Sequence, residues 1–254
     1  MHLNCYFYDY QAADARDILD RLMALESALG LASRHFDYLY TLPPGKGDHP
    51  GDFKSKAIDL KSLEHGVQAA EIRSFNLSSE TDLRSASMHA MYVNSKEHGG
   101  TACISLHLPQ ACVDAHAATL IDAFAAAIRP GYGFQCWTDN ALKGVGYVLA
   151  SSLYRNEKGN FSGYLLRNER IGLPRMIYPV NYLSDVQLDH IVGGTTLRAF
   201  IAQRMGQDGL AEVGDALYRL DVGAEDLTDA NNAFGEAGFL ISWVETRKAK
   251  RGLP

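Results

Sequence analysis

From Thr101 to Leu108 the side chains alternate without a break. Ala102, Ile104, Leu106 and Leu108 fall on one side, and Cys103, Ser105 and His107 on the other. A period of two is the mark of a strand whose faces meet different surroundings. Such a strand needs neighbours for its backbone and a cover for its apolar side, so the chain must build a sheet. The stretches Leu3–Tyr10, Met88–Asn94, Tyr132–Trp137, Leu217–Val222 and Phe239–Val244 are expected to supply further strands. Glu97-His-Gly-Gly100 offers the glycine of a hairpin loop between two of them.

Other stretches carry the helical period. Ile18, Leu22, Leu25 and Leu29 form one stripe of a helix expected from Ala12 and ended by Gly30. A second helix is expected with Pro109 in its first turn, and with Val113, Ala117, Leu120, Ile121, Phe124 and Ile128 on one face; Arg129-Pro130 stops it. A helix or extended piece is expected at Leu142–Leu153, and an irregular basic stretch at 154–175. Ser184-Asp-Val-Gln187 fits a capping box. Thr195 or Thr196 caps the next helix, with Leu197, Phe200 and Ile201 inward, and a last helix is expected near Thr228–Phe234. Thr41–Asp52 is a turn-rich surface loop. Hairpins and crossovers mixed in this way predict an α+β fold, a mainly antiparallel (mixed) sheet packed against helices, rather than a doubly wound parallel one. The 254 residues are read as a single domain with substructure at 1–128 and 129–246, and 247–254 as a basic, disordered tail.

The charge balance narrows the function. A net charge of −6 argues against a nucleic-acid partner, which needs clustered Lys and Arg, and leaves room for a basic protein partner. No apolar run approaches the roughly 20 residues of a membrane helix. The first residues lack the pattern of an export signal, so a cytoplasmic address is expected, with Cys5, Cys103, Cys112 and Cys136 reduced. Between Gly206 and Gly238 stand eight acids and a single base, Arg219. They read either as a solvated face or as a patch that steers a basic partner.

Chemistry is hard to place on this chain. His89, His98, His107 and His116 invite a metal reading, but there is no HxH, HExxH or CxxC. Cys103 and His107, four residues apart on one strand, would lie about 13 Å from each other. Gly144-Val-Gly146 begins a dinucleotide fingerprint that Leu149 breaks. No Gly-x-Ser-x-Gly elbow exists. No catalytic residue, metal ligand or cofactor is therefore assigned. A small-ligand or hydrolase-type site on the His/Cys face of the middle strands stays open as the alternative.

Four short signatures run in order through the second half: Arg129-Pro-Gly-Tyr-Gly-Phe134, Ile177-Tyr-Pro-Val-Asn-Tyr-Leu-Ser184, Gly193-Gly-Thr-Thr-Leu-Arg198 and Gly238-Phe-Leu-Ile-Ser-Trp243. In order and spacing, residues 129–243 resemble bacterial immunity proteins that neutralise type VI secretion toxins. The resemblance implies a non-enzymatic protein that occludes a cognate toxin encoded beside it. The motif residues themselves read as structural: Pro179 keeps Tyr178 extended, and Asn181 bonds nearby backbone. Contact with the toxin is expected instead from Asp221, Glu225, Asp226 and Asp229, and from Lys46, Asp48 and Asp52 in the loop from Pro43 to Phe53. Self-association as a homodimer is compatible with the sequence.

Overall fold

A computed structural model describes residues 1–8, 14–41, 53–83, 85–94, 102–148 and 172–243. The chain opens with β1 (His2–Tyr8), α1 (Ala15–Ala28), β2 (His35–Thr41), β3 (Phe53–Ile58), α2 (Leu60–Gln68), β4 (Phe75–Ser78) and β5 (His89–Val93). It continues with β6 (Cys103–Pro109), α3 (Ala115–Ile128), β7 (Tyr132–Thr138), α4 (Ala141–Val148) and β8 (Val180–Ser184). The last elements are α5 (Asp185–Leu188), β9 (Ile191–Val192), β10 (Thr195–Thr196), α6 (Leu197–Met205), β11 (Ala211–Gly214), β12 (Leu217–Asp221) and α7 (Leu227–Glu236).

Ten strands form one sheet in the order β11-β12-β8-β7-β1-β6-β5-β4-β2-β3. Every neighbouring pair is antiparallel, so the fold is α+β as the mixed hairpins and crossovers predict. β1 lies between β6 and β7, and α3 crosses over it to join those two parallel strands. Strands from before and after residue 129 thus sit in the same sheet.

The alternation of β6 sorts the two faces. Ile104 and Leu106 join Leu3, Cys5 and Phe7 of β1 beneath α1, α2 and α3. The stripe expected on α1 is present: Ile18, Leu22 and Leu25 are buried, and Asp14 caps the helix by accepting from Arg16 N and Asp17 N at 3.0 and 3.1 Å. The opposite face carries Tyr6, Tyr8, Phe134 and Leu183, covered by α4, α6, α7 and the irregular segments 173–178 and 239–241. Each large apolar side chain buried in these layers contributes about 1.5–3 kcal/mol.

Two sequence expectations are corrected. Pro109 closes β6 instead of opening a helix; a 3-10 turn follows at Gln110–Cys112, and α3 starts at Ala115. Asp114 decides the start, because its carboxylate accepts from Ala117 N at 2.8 Å and satisfies an N–H that would otherwise be free. The last apolar run is not a sheet strand either. Ile241 N and Ser242 N donate to Pro174 O and Arg175 O, both at 3.0 Å, and Phe239–Ile241 pack into the core as an irregular segment. An apolar run without alternation does not separate strand from buried coil. Four elements between residues 35 and 78 (β2, β3, α2 and β4) were not anticipated at all. The loop at 42–52, the hairpin loop at 95–101, the basic stretch at 149–171 and the tail from 244 lie outside the described residues.

The Tyr-Pro-Val-Asn signature has a structural task. Asn181, fully buried, accepts from Tyr178 N at 2.9 Å and donates to Tyr178 O and Leu220 O at 2.7 and 3.2 Å. Asn231 of α7 does the same for the residue before, accepting from Ile177 N at 3.0 Å and donating to Ile177 O at 2.8 Å and Leu227 O at 3.0 Å. The Tyr178 ring then stacks on Phe134 at 3.8 Å between centroids. Gly193 and Gly194, with φ of +58° and +86°, form the two-residue turn between β9 and β10. Thr196 caps α6, accepting from Ala199 N at 3.1 Å.

Because Asn231 pairs both backbone groups of Ile177, with no other partner for them among the described residues, replacing it by Leu strands a buried N–H and a buried C=O. The expected loss is about 2–4 kcal/mol. Urea denaturation should show the midpoint falling with an unchanged slope; an unshifted midpoint would rule out this bracing role.

Candidate functional site

The structure places the sequence candidates in two separate regions, one acidic and exposed, one histidine-bearing and buried. All eight acids between Gly206 and Gly238 are exposed. Arg219, the lone base, is half-buried and pairs with one of them. Its side chain is only 22% accessible, and it donates to Asp122 Oδ2 at 2.6 Å and Asp221 Oδ1 at 2.8 Å. Asp215 pairs loosely with Arg129 at 3.4 Å. Among the described residues the other six acids carry no ion pair.

Of the expected contacts, Asp221 therefore stands partly neutralised at the end of β12. Glu225, Asp226 and Asp229 form an open group at the start of α7. Asp226 occupies the N-cap position without a side-chain capping bond, so its carboxylate is free to face solvent. Their shared position beside the positive end of a helix stabilises the negative charge by a few tenths of a kcal/mol each. Lys46, Asp48 and Asp52 lie outside the described residues.

The buried region is a polar stripe in the otherwise apolar face that α4 covers. β5 and β6 set His89 directly opposite His107, and the rings stack with centroids 5.2 Å apart. His107 Nδ1 bonds Asn4 Oδ1 at 2.7 Å and its Nε2 bonds Ser105 Oγ at 3.0 Å. Asn4 Nδ2 donates onward to Thr138 Oγ1 at 2.9 Å, and to His2 O and Cys136 O. With both ring nitrogens engaged, His107 has none left for a metal. His116 is exposed on α3, across the sheet, and cannot join the pair; His98 lies outside the described residues. Among the described residues no three of His, Cys, Asp and Glu converge as a metal ion requires. Cys103 sits four positions from His107, opposite Val93 and Tyr8.

Burial holds both imidazoles neutral. His89 is pushed down to about 4 by loss of water, and His107 well below its usual value by burial first and then by His89 and His2. α4 closes the stripe from above: Tyr6 OH donates to Gly144 O at 2.9 Å. A Cβ on Gly144 would fall on Asn4 Oδ1 and stand 2.7 Å from His107 Nδ1. The Gly-x-Gly that resembles a broken nucleotide motif is thus a close-approach contact.

Gly→Ala inside a helix normally gains about 1 kcal/mol. At Gly144 the clash with a buried hydrogen bond outweighs that gain, and Gly144→Ala should lower stability by about 1–3 kcal/mol in thermal unfolding. The imidazoles add an acid dependence. An unfolded His binds its proton near pH 6.5, whereas folded His89 binds one only near 4. Between these values the unfolded chain holds more protons, so stability falls as pH drops from 6.5 to 4, by about 3 kcal/mol for His89 alone. Denaturation across this range should show a shallower slope for His89→Phe; an identical slope would show that the imidazole charges without cost.

Compared with solved structures, the chain resembles the Pseudomonas aeruginosa T6SS protein PA0821. The TM-score is 0.56 at 14% sequence identity, over 93% of this chain and 73% of that one. No family model matches the chain, and no curated protein matches it. The likeness establishes a fold shared with a protein of the type VI secretion system.

Proposed function

We propose that this protein is an immunity protein of a type VI secretion system, which neutralises a cognate toxin by binding it one-to-one or two-to-two and occluding a surface the toxin needs. The observation that carries the reading is the fold, shared along 93% of the chain with a T6SS protein. The order of signatures between residues 129 and 243 supports it independently. Activity of this kind is stoichiometric and needs no catalytic residue, cofactor, nucleic acid or membrane. No helix among the described residues is long and apolar enough to cross a membrane. The complex is proposed to form in the cytoplasm.

The signature residues serve the fold, as Asn181 and Gly193-Gly194 demonstrate, so specificity for one toxin belongs on surfaces free to vary. The acidic group at the start of α7 is such a surface, and its carboxylates, which carry no ion pair among the described residues, favour a basic partner. Steering of that kind raises the association rate more than the final affinity.

Co-expression with the product of the neighbouring gene tests the reading. Rescue of growth together with a co-purifying complex is expected. A harmless neighbour, or one that kills regardless and never co-purifies, rejects it. In a complex so obtained, Glu225→Lys combined with Asp229→Lys should slow association about tenfold at low salt, with dissociation little changed. Association kinetics indifferent to both the substitutions and salt would discard the acidic contact while leaving the immunity reading intact.

A further inference from the structure

The polar stripe does not end at His89. β4 sets Ser78 opposite His89, and β2 sets His35 opposite Ser78. One row along the same face, Asp37 of β2 stands opposite Asn76 of β4, and Ala57 of β3 stands opposite Asp37. Above these residues lies a cavity of about 310 Å³. That volume is at the small end for a ligand site and suits a single functional group on a short stem.

The floor of the cavity has unmet hydrogen-bonding demand. Asn76 Oδ1 and His89 Nδ1 are both shielded from water and have no partner among the described residues. His89 is 3% exposed, and Nδ1 of a neutral imidazole accepts when the proton sits on Nε2. The Asp37 carboxyl is held above its usual range by burial, with His35 offsetting only part of that. Arg34, Ser55 and Glu80 also line the cavity, and two further polar groups are engaged. Ser78 Oγ donates to Glu80 O at 2.7 Å, and His35 meets Thr81 Oγ1 at 3.4 Å. Asn76 Oδ1 and His89 Nδ1 lack donors, and the cost of an unpartnered buried acceptor is returned by a ligand that donates to it.

We propose that this cavity is a binding site for a guanidinium group, which donates its N–H bonds to the Asp37 carboxylate, Asn76 Oδ1 and His89 Nδ1. A planar cation with five donors meets three acceptors spread across neighbouring strands, where an ammonium supplies three donors from one point. Guanidinium is also the more weakly hydrated cation, which suits a small, half-closed cavity. An anion is disfavoured: Arg34 and His35 are exposed residues, while Asp37 and the Asn76 oxygen hold the floor. The group can come from an arginine of a protein partner or from a free guanidinium compound. The site stands apart from the toxin-neutralising reading and does not depend on it.

The test is a titration of the isotope-labelled full chain at pH 7 with methylguanidinium and with arginine amide, read at the His89 ring and the Asn76 side-chain amide. Saturable shifts at both residues are expected, with weaker binding of methylammonium and no response to acetate or phosphate. Asp37→Asn should weaken methylguanidinium about tenfold or more, the loss of one charge-assisted hydrogen bond. Should that variant not fold, the wild-type series decides alone. Shifts that never saturate, or that acetate and phosphate produce equally, overturn the site. With a cognate partner in hand, Asp37→Asn separates the sources. Weakening of both the complex and the probe supports an arginine supplied by the protein; weakening of the probe alone supports a free guanidinium compound.

Discussion

β1 is flanked on both sides by strands that come late in the chain, and the other elements take their places from that arrangement. All seven of its residues are buried, His2 and Asn4 among them. Its two ladders run over the full length of β6 and β7, and its side chains supply both cores: Leu3, Cys5 and Phe7 to one face, Tyr6 and Tyr8 to the other. α3 has to pass over it to connect its two neighbours. A strand covered on both faces and both edges has no exposed position at which a polar residue is harmless, so its Asn4 comes with a full set of partners.

Those partners explain why histidines sit inside the protein. Asn4 and His107 satisfy one another across β1 and β6, Ser105 takes the second nitrogen of His107, and Gly144 of α4 leaves room for the contact from above. The arrangement is a buried polar network closed at one end. At its other end, beyond His89, it opens into a cavity with acceptors left over. The acidic corner at α7 is of a different kind, exposed and solvated, and beside it Arg219 of β12 reaches Asp122 and Asp221 together. That same Asp122 accepts from Tyr182 OH at 2.6 Å, linking α3 to the signature strand β8.

What was legible in the sequence was whatever had a strong period or a cap. Thr101–Leu108 declared its faces, Ile18–Leu25 its stripe, and Thr196 its helix. The glycines and asparagine of the signatures declared turns and backbone contacts. β2, β3 and β4 did not: Phe36-Asp-Tyr-Leu-Tyr40 mixes polar and apolar residues, and Lys54-Ser-Lys56 is polar throughout, near the margin of the sheet where β3 forms the edge. α2 was detectable in principle: Asp59 accepts from Ser62 N at 2.7 Å, and Leu63 and Val67 are spaced for one face. The cross-strand meeting of His89 and His107 depends on register, which the alternation of one strand suggests and only the pairing fixes. The cavity beside them was out of reach, since three of the four strands that line it, β2, β3 and β4, carry no signal in the sequence that reveals them.

The position of β1 also bears on how the protein is made. Its first partner begins at Cys103 and its second ends at Thr138. A ribosome therefore releases this strand long before either neighbour exists, and Tyr6, Phe7 and Tyr8 wait uncovered while more than half the chain is synthesised. Contacts so distant in sequence make for slow folding and a long interval of exposure. The half-made chain therefore presents aromatic surface that only later strands pair with and cover.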